Sequence, residues 1–412
     1  MDIQQNTLYL TTPGSYVARD HLTLQVEVPV YPEELPTEDR TRDKAADWRK
    51  VSIPIHHLES LCVFGASTVS PPALDLCWEH GVAVNYLSQF GHLQARMTGV
   101  ADTSVTLRRT QFRAADDPMR CAGIARQIIA GKIQNSRNSL LRAARETESA
   151  EDRTRLEETT DALARQVQEL GKLQLSAPAP AEGGSRRREE ADDSVVRKDP
   201  PPHVGGYAGE AHGNGEPSIT SGSSNPSLDQ LRGNEGMASS RYFAVFSLML
   251  KQQRDEFAFT NRSRRPPRDR VNCLLSFLYA LVRHDCIAAL TAAGLDPFVG
   301  FLHVDRPNRP SLALDLMEEF RPWLADRLAV TLVNRQQLGI EHFREREGGA
   351  VEFTEKGRKL VITAYQQRKQ ETVNHPLLEQ NLRIAQLPFI QARVLARHLR
   401  GDIADYVPFV PK

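Results

Sequence analysis

The sequence predicts an α+β protein, with a small β-rich N-terminal domain at residues 1–95 and a larger, mostly α-helical domain at residues 106–412. Two patterns predict this arrangement. Up to about residue 95, short runs alternate apolar and polar side chains, which is the period of a half-buried strand. After about residue 105, apolar side chains recur at helical spacing. Residues 96–105 form the predicted linker, and 412 residues accommodate two or three domains.

The N-terminal domain is predicted to contain several short strands and one helix. The strand-like runs lie at residues 8–10, 21–30, 51–55, 61–64 and 82–87. Pro71 and Pro72 precede a short helical segment, as prolines often do in a first helical turn. The polar residues 32–50 predict a surface loop. His56 and His57 suggest a metal site, but exposed or hydrogen-bonded histidines at the end of a strand are the favoured interpretation.

Composition narrows the class of protein. The 52 basic and 52 acidic side chains balance, so net charge neither favours nor excludes a nucleic-acid partner. The five cysteines are scattered without a C-x-x-C pair, which excludes a disulfide framework or a zinc quartet and favours a reducing compartment. The N-terminus does not resemble a signal peptide, and no segment reaches the ~20 apolar residues of a membrane span. We therefore expect a soluble, cytoplasmic protein without a membrane partner.

Residues 106–145 combine an apolar helical stripe with basic side chains that lie off it. The stripe consists of Ile124, Ile128, Ile129, Ile133 and Leu140. The basic side chains are those of Arg126, Lys132, Arg137 and Arg142. A solvated helix face is the commoner explanation of such a pattern. A phosphate-binding face is the alternative, because lysine and arginine gain affinity for nucleic acid by releasing counterions. The sequence alone favours the solvated face.

A second charged helix, predicted at residues 151–173, is followed by an abrupt change in composition. Residues 176–225 are rich in Pro, Gly, Ser and charged residues and contain few large apolar side chains. Such a segment cannot bury enough surface to offset its ordering entropy, so it is predicted to be a disordered insert. Order resumes at Ser227, which together with Gln230 fits a helical capping box.

Two candidate functional stretches follow the insert. Glu235 lies between two glycines in LRGNEGMASSRYF, where small residues allow a close approach; an exposed glutamate is the usual explanation. Residues 261–270 (NRSRRPPRDR) contain five arginines, which form either solvated surface or a phosphate clamp, since arginine binds phosphate bidentately. Tyr279, in a helix predicted at residues 271–290, is more often a core residue than a reactant.

The stretch GLDPFVGFLHVDRPNRPSLALDLMEEFR contains a histidine and three acidic residues with helical spacing. His303 follows an apolar run. Asp315 lies three residues before Glu318 and four before Glu319, so either pair shares a helix face. Unpaired carboxylates beside an apolar stripe are costly. A divalent cation bound by His303 and a carboxylate would offset that cost.

The helix of this stretch is predicted to begin at Ser311 and to end or kink at Pro322, which lacks a backbone donor. The remainder of the chain is predicted to be mainly helical, at residues 323–334, 354–372 and 377–400.

Four blocks of sequence, in order between Leu231 and Pro322, resemble those of the CRISPR-associated integrase family, the first of the universal Cas proteins. They are LRGNEGMASSRYF, RSRRPPRDRVNCLLSFLY, GLDPFVGFLH and SLALDLMEEFRP. Weaker similarity covers GKIQNSR and ARVLARHLRGDIADYVPF, and the β-rich front half is similar only in general style. This sequence departs from the family pattern in the polar Asn234, where an apolar residue is usual, and in the insert.

The resemblance implies an N-terminal β domain joined to a larger helical domain, and a site that binds Mg²⁺ or Mn²⁺. By this resemblance the metal ligands are Glu235, His303 and Glu318, while Tyr279 and Asp315 have catalytic roles. An imidazole ligand favours Mn²⁺. The predicted DNA contacts are Lys132, Arg241, Arg264, Arg265 and Arg268. The family further implies a homodimer through the β domains and a small ferredoxin-like second Cas subunit.

The reaction implied is the attack of a prespacer 3′-hydroxyl on a phosphodiester of the CRISPR repeat. Two alternatives remain at this point. A metal-dependent nuclease would use water as the nucleophile in place of the 3′-hydroxyl. A non-catalytic DNA-binding scaffold would show no metal-dependent strand breakage, although the three ligand types argue against it.

Overall fold

A computed structural model describes residues 7–32, 40–58, 60–87, 93–97, 105–173 and 226–411. The predicted insert, residues 176–225, lies outside the described residues, as does most of the predicted linker. The architecture is α+β, with a β-rich N-terminal part and a larger helical part, as the sequence predicts.

Two four-stranded sheets and one helix form the N-terminal part. One sheet has the order β1-β5-β7-β8 and the other the order β4-β3-β2-β6. The strands are β1 (Thr7–Leu10), β2 (Tyr16–Asp20), β3 (Thr23–Val30), β4 (Asp47–Pro54), β5 (Ser60–Phe64), β6 (Thr68–Val69), β7 (Ala83–Leu87) and β8 (Leu93–Met97). Helix α1 (Pro71–Glu79) begins after Ser70, whose side chain accepts a hydrogen bond from the backbone of Ala73. Side chains from both sheets and from α1 share one apolar core, which includes Val17, Leu61 and Leu76.

Two segments of this domain, the one before β4 and the one that contains β8, differ from the prediction. The predicted surface loop at residues 32–50 is wrong at its end, because Asp47 to Lys50 pair with β3 as the first half of β4. Strand β8 continues to Met97, and its pairing with β7 therefore extends into the predicted linker. His56 and His57 form a short turn at the end of β4, with their rings 4.0 Å apart.

Nine further α-helices and two small hairpins complete the described chain. After α1 the helices are α2 (Val105–Asp116), α3 (Pro118–Glu146), α4 (Ala150–Lys172), α5 (Pro226–Ala244), α6 (Arg270–Ala292), α7 (Ser311–Met317), α8 (Arg327–Asn334), α9 (Glu355–Gln370) and α10 (Leu387–Arg400). The hairpins are β9 (Phe343–Glu345) with β10 (Val351–Phe353), and β11 (Thr372–His375) with β12 (Gln380–Arg383).

Two helix boundaries differ from prediction. The helix predicted at residues 377–400 begins only at Leu387, because the preceding residues form the β11–β12 hairpin. Pro388 lies in the first turn of α10, where its missing N–H costs nothing. Helix α5 begins at Pro226, so Ser227 lies inside its first turn and not at the predicted N-cap.

Helices α3 and α6 form the centre of the larger part. The face of α3 that contains Ile124, Ile128 and Ile133 is buried, as the apolar stripe predicts. A β-carbon at Gly131 would lie 2.5 Å from Pro408, so only glycine allows the C-terminal segment to approach α3 this closely. Helix α6 is long and apolar enough to cross a membrane, but 78% of its most apolar window is buried within the protein.

The β-rich part packs directly on the helical part. Cys62, Phe64 and Leu87 of the first sheet belong to the same apolar core as α3 and α6. The ring of Phe64 lies 6.4 Å from that of Phe277 on α6. This shared core fixes α6, and with it Tyr279, relative to both parts of the protein.

Candidate active site

The three predicted metal ligands come together around one lysine. Glu235 is on α5, His303 is in the loop before α7, and Glu318 is the residue that ends α7. The Lys132 ammonium, from the middle of α3, contacts Glu235 Oε1 and lies 2.8 Å from Glu318 Oε2. His303 Nε2 is 3.7 Å from Glu318 Oε1. Side chains from four separate segments therefore meet at one buried positive charge.

Glu318 is the anionic centre of this cluster. It is only 1% exposed, and Arg321 Nη1 lies 2.9 Å from its Oε1 atom. Burial alone would raise the pKa of Glu318, but the positive charges of Arg321 and Lys132 outweigh burial and lower that pKa to about 2. Glu318 is therefore ionised at every physiological pH and available as a hard oxygen ligand.

Asp315 holds His303 through the ring nitrogen that does not face Glu318. One Asp315 oxygen accepts hydrogen bonds from the backbone N–H groups of Phe301 and Leu302, at 2.6 and 3.0 Å. The other accepts the His303 backbone N–H at 3.0 Å and lies 2.6 Å from His303 Nδ1. A carboxylate at Nδ1 keeps the proton on that nitrogen and leaves the Nε2 lone pair facing Glu318.

The structure shows which groups Asp315 contacts, while its predicted catalytic role stays a prediction. Both of its oxygens are engaged with the His303 loop, and its side chain is fully buried. A β-carbon at Gly300 would lie 2.9 Å from Asp315 Oδ2, so the loop needs glycine to wrap this closely around the carboxylate. In this structure Asp315 therefore positions the His303 loop.

Glu235 is held on the exposed side of the cluster. Ser239, one turn later on α5, donates a hydrogen bond of 2.8 Å to Glu235 Oε1. The preceding residue, Asn234, departs from the family pattern without disturbing the helix. Its side chain donates to the carbonyl of Gln230, and its own carbonyl accepts a hydrogen bond from Gln166 of α4.

The donor set fits a divalent cation chemically. Two carboxylates contact one ammonium group, an imidazole nitrogen lies beside one of those carboxylates, and the Lys132 ammonium stands where a cation would be attracted. Within the described ranges, no three His, Cys, Asp or Glu side chains are already close enough together to form a metal-binding group. Binding a metal here therefore requires Lys132 to withdraw and the carboxylates to close.

Tyr279 lies beside this cluster, between two guanidinium groups. The Arg321 and Arg262 guanidiniums lie 5.1 and 5.3 Å from the centre of its ring. Its hydroxyl donates a hydrogen bond of 2.7 Å to Asp326. Burial, followed by the negative charge of Asp326, raises the pKa of Tyr279 well above its usual value. Tyr279 therefore stays neutral and can act by donating a hydrogen bond or by packing.

Asp326 is a residue that sequence reasoning missed. It ends a π-helical turn, Arg321–Asp326, that contains Pro322. Its second oxygen accepts a hydrogen bond of 3.0 Å from Tyr242, which lies two turns after Glu235 on α5. Asp326 thus links the helix of Glu235 to the helix of Tyr279. No short motif marks it, because the link depends on how three helices pack.

Asp326 gives this region a pH-dependent stability. Burial raises the pKa of Asp326 from 3.8 to about 6. An acid whose pKa is raised on folding stabilises the protein most below its unfolded pKa, and that stabilisation is lost as pH rises through the folded pKa. We expect the free energy of unfolding of wild type, relative to D326N, to fall by about 2 kcal/mol between pH 4.5 and 7. Urea unfolding of both proteins at the two pH values measures this, and a constant difference would contradict it.

The adjacent acid, Glu319, points away from the cluster. It accepts hydrogen bonds from Tyr406 at 2.8 Å and from the backbone N–H of Phe409 at 2.5 Å. Burial raises the pKa of Glu319 to about 8, so its carboxyl group is largely protonated at pH 7. The two adjacent glutamates thus have opposite surroundings, because the turn after α7 directs one to the site and the other to the core.

The predicted DNA-contacting residues divide into two groups. Arg264, Arg265 and Arg268 are exposed on the loop between α5 and α6, and Arg241 is exposed on α5. Lys132 is instead buried inside the carboxylate cluster, so the prediction of a solvated basic face on α3 is wrong at this position. A buried lysine is stable here because two glutamates compensate its charge.

Further arginines extend the basic surface inward from the loop. Arg262 donates hydrogen bonds of 2.5 Å to Asn272 and 3.0 Å to Ser276. Burial, followed by the positive charges of Arg265 and Arg321, lowers the pKa of Arg283. Arginines that lower one another's pKa create a strong positive potential, which attracts phosphate groups.

An open cavity of about 380 Å³ adjoins the other side of His303. Its lining includes His303, Asp305 and Arg232, with Phe112 and Leu228 among the apolar members. Arg232 also donates a hydrogen bond of 2.8 Å to the carbonyl of Leu302, so it supports the histidine loop. The cluster is therefore accessible to a ligand from the His303 side.

Comparisons with known proteins identify relatives over the whole chain. A sequence profile described as "CRISPR associated protein Cas1" matches residues 8–179 and 214–367. The "CRISPR-associated endonuclease Cas1 1" of Moorella thermoacetica is 40% identical over 410 residues, which cover 100% of this chain and 99% of that protein.

Solved structures show the same fold. A "Casposase bound to integration product" has a TM-score of 0.71 and 18% identity, covering 98% of this chain and 93% of that one. A chain of a "Cas6-RT-Cas1--Cas2 complex" has a TM-score of 0.68 and 20% identity, covering 100% of this chain and 37% of that one. At these sequence identities, the similarity shows only that the fold is shared.

Proposed function

Since this chain belongs to the CRISPR-associated Cas1 family, we propose that it is a metal-dependent DNA integrase and endonuclease of CRISPR adaptation. In this proposal it joins the 3′-hydroxyl ends of prespacer DNA to the CRISPR repeat by transesterification. The relatives' names describe endonucleases, and one protein of the same fold is a casposase bound to an integration product. Both support a phosphodiester chemistry on DNA.

The convergence of Glu235, His303 and Glu318 on one positive charge carries the proposal. These residues would hold Mg²⁺ or Mn²⁺. The bound ion would stabilise negative charge on the phosphoryl oxygen and orient the attacking hydroxyl. Asp315 keeps the proton on His303 Nδ1, so that the opposite nitrogen stays available as a ligand.

In this proposal, the neighbouring arginines bind the phosphate groups of DNA. Arg264, Arg265 and Arg268 are exposed and would bind the DNA backbone, with Arg241 extending this surface along α5. The Arg321 guanidinium, which lies over the Tyr279 ring, supplies positive charge close to Glu318. Most of the rate acceleration would then come from positioning and electrostatics, without a covalent enzyme intermediate.

The proposed partners are DNA, a second copy of this chain and a small second Cas subunit. A protein of the same fold occurs in a complex with Cas2, which supports such a subunit for this chain. A homodimer would form through the β-rich N-terminal parts, leaving the arginine surface free for DNA.

A strand-transfer assay separates the proposed reaction from hydrolysis. The full-length protein, its Cas2-type partner and Mn²⁺ are combined with a repeat-containing plasmid and prespacer DNA that ends in either a 3′-hydroxyl or a 2′,3′-dideoxy nucleotide. We expect joined product only with the 3′-hydroxyl. Equal strand breakage with both ends would support the nuclease alternative, and no metal-dependent breakage would support a non-catalytic scaffold.

Lys132 should compete with the metal. K132M removes the ammonium between Glu235 and Glu318 and leaves only Arg321 to compensate Glu318, which should lower the free energy of unfolding by about 3 kcal/mol in the absence of divalent metal. Mn²⁺ should then raise the unfolding temperature of K132M more than that of wild type, because no ammonium has to be displaced. K356M, which removes an exposed lysine on α9, is the matched control. Equal Mn²⁺ shifts in all three proteins would contradict this competition.

A further inference from the structure

A second cavity, of about 350 Å³, lies behind the arginine loop and is distinct from the carboxylate cluster. Its walls are largely apolar and include Phe277 of α6 and Phe353 of β10, whose rings are 5.4 Å apart. Pro266 and Pro267 of the loop close another side. Cavities of ~300–1,000 Å³ with apolar walls and a few polar groups are typical of sites for small organic ligands.

The polar groups of this cavity are mainly cationic. Arg264 and Arg265 are at its exposed edge, and Arg358 of α9 lines its interior. The one acidic lining residue, Glu352, is already paired with Arg346, whose Nε lies 2.6 Å from Glu352 Oε2. The cavity therefore has an excess of positive charge, which suits an anionic ligand.

Arg358 is the strongest indication of a ligand. The residue is 5% exposed, and its Nε atom has no hydrogen-bond partner among the described residues. No carboxylate in the described chain lies within 4.0 Å of its guanidinium. Burial lowers the pKa of Arg358. Glu355 and Glu352 attract this charge without forming an ion pair with it, and a buried guanidinium with an unpaired Nε is costly. A site that accepts an anion therefore explains why this arginine lines the cavity.

The cavity is connected to the proposed active site through α6. Ser276 lines the cavity and accepts a hydrogen bond of 3.0 Å from Arg262. Arg262 lies over the ring of Tyr279. Arg321 lies over the same ring and also pairs with Glu318 of the carboxylate cluster. A ligand in the cavity would therefore lie next to a DNA strand that passes over the arginine loop.

We propose that this cavity binds a single unpaired nucleotide, with its base between the apolar walls and a phosphate on Arg358 and the loop arginines. Aromatic and apolar walls accept a base of any sequence by stacking, and arginine binds the phosphate. The nucleotide could come from two sources, a free nucleotide or an unpaired end of bound DNA. The DNA source rests on the proposed function, because it requires DNA on the arginine loop.

The test uses duplex DNA with a single-stranded overhang that contains either 2-aminopurine or an abasic site at the same position. We expect wild type to bind the 2-aminopurine overhang about tenfold more tightly than the abasic one, with quenched fluorescence. A350W should lose this preference because it fills the base slot, and R358Q should weaken the binding of both overhangs because it removes the phosphate contact. K359Q, which removes an exposed charge from the same helix, should keep the preference.

Each outcome decides the proposal. The nucleotide site is wrong, even where strand transfer remains intact, if wild type shows neither a base preference on overhang DNA nor binding of dAMP. It is also wrong if A350W retains the preference, or if R358Q binds both overhangs and dAMP as tightly as wild type. The unfolding temperatures of all variants show whether weaker binding comes from loss of the fold. Two chemically different variants are used so that the test still stands if one of them does not fold.

A second arm titrates dAMP and inorganic phosphate in the absence of DNA. Binding of dAMP that depends on Arg358, without a base preference on overhang DNA, identifies a free nucleotide as the ligand. Equal affinities for phosphate and dAMP would contradict the proposal that the cavity binds a base. Because this arm needs no DNA, it tests the cavity even if the proposed integrase function fails.

Discussion

E318Q is expected to lower the rate of metal-dependent strand transfer by more than about 100-fold. Loss of a residue that only orients a metal ligand typically costs 10–100-fold, and Glu318 is proposed as a ligand itself. Glutamine keeps the shape of the side chain but removes the charge that Lys132 and Arg321 share. DNA binding should persist, since the exposed loop arginines are unchanged. Initial rates of product formation with saturating DNA and Mn²⁺ measure the effect.

E319Q is the matched control for this substitution. It changes the adjacent buried glutamate, but Glu319 faces Tyr406 and Phe409 and its carboxyl group is already largely neutral at pH 7. E319Q should therefore react at nearly the wild-type rate. If E318Q also reacted at that rate while remaining folded, the assignment of Glu318 would be wrong.

D315N is expected to reduce both stability and metal affinity. The Asp315 carboxylate accepts three backbone N–H groups and holds His303 Nδ1. An asparagine NH₂ group in place of one oxygen would face these donors, leaving buried groups unpaired. We expect a loss of about 2–4 kcal/mol in the free energy of unfolding. Because His303 would no longer be oriented, the Mn²⁺ dissociation constant should rise about 10–100-fold.

D305N provides the comparison for D315N within the same loop. Asp305 is exposed and accepts one backbone hydrogen bond, a 3.3 Å contact from Gly300. We expect D305N to change stability and Mn²⁺ affinity only slightly. Calorimetric titration with Mn²⁺ and urea unfolding would be carried out on both variants. Unchanged Mn²⁺ affinity in D315N would show that Asp315 does not support a metal ligand.

Site residues that lie in short, contiguous sequence blocks could be predicted from the sequence. The blocks around Glu235, His303 and Glu318 indicated three residues that the structure does bring to one place. The α+β division followed from a change of hydrophobic period near residue 105, which a short window can detect.

Features that depend on packing between distant segments could not be predicted. Lys132 has the spacing of a solvated basic residue, and only the approach of α5 and the end of α7 makes it the centre of a buried ion-pair cluster. Asp326 joins Tyr242 to Tyr279 across 84 and 47 residues of chain, respectively. Residues 377–383 were predicted as helix from the spacing of their side chains, but in the structure the pairing of β11 with β12 outweighs that pattern.

The central claim is that Glu235, His303 and Glu318 bind a single divalent cation. A crystal of the protein soaked in Mn²⁺ and measured at the manganese absorption edge tests it most directly. We expect one anomalous peak within about 2.5 Å of a side-chain atom of each of these residues, with the Lys132 ammonium displaced from between the glutamates. An intact Lys132 pair with the manganese bound elsewhere, or not at all, would contradict it.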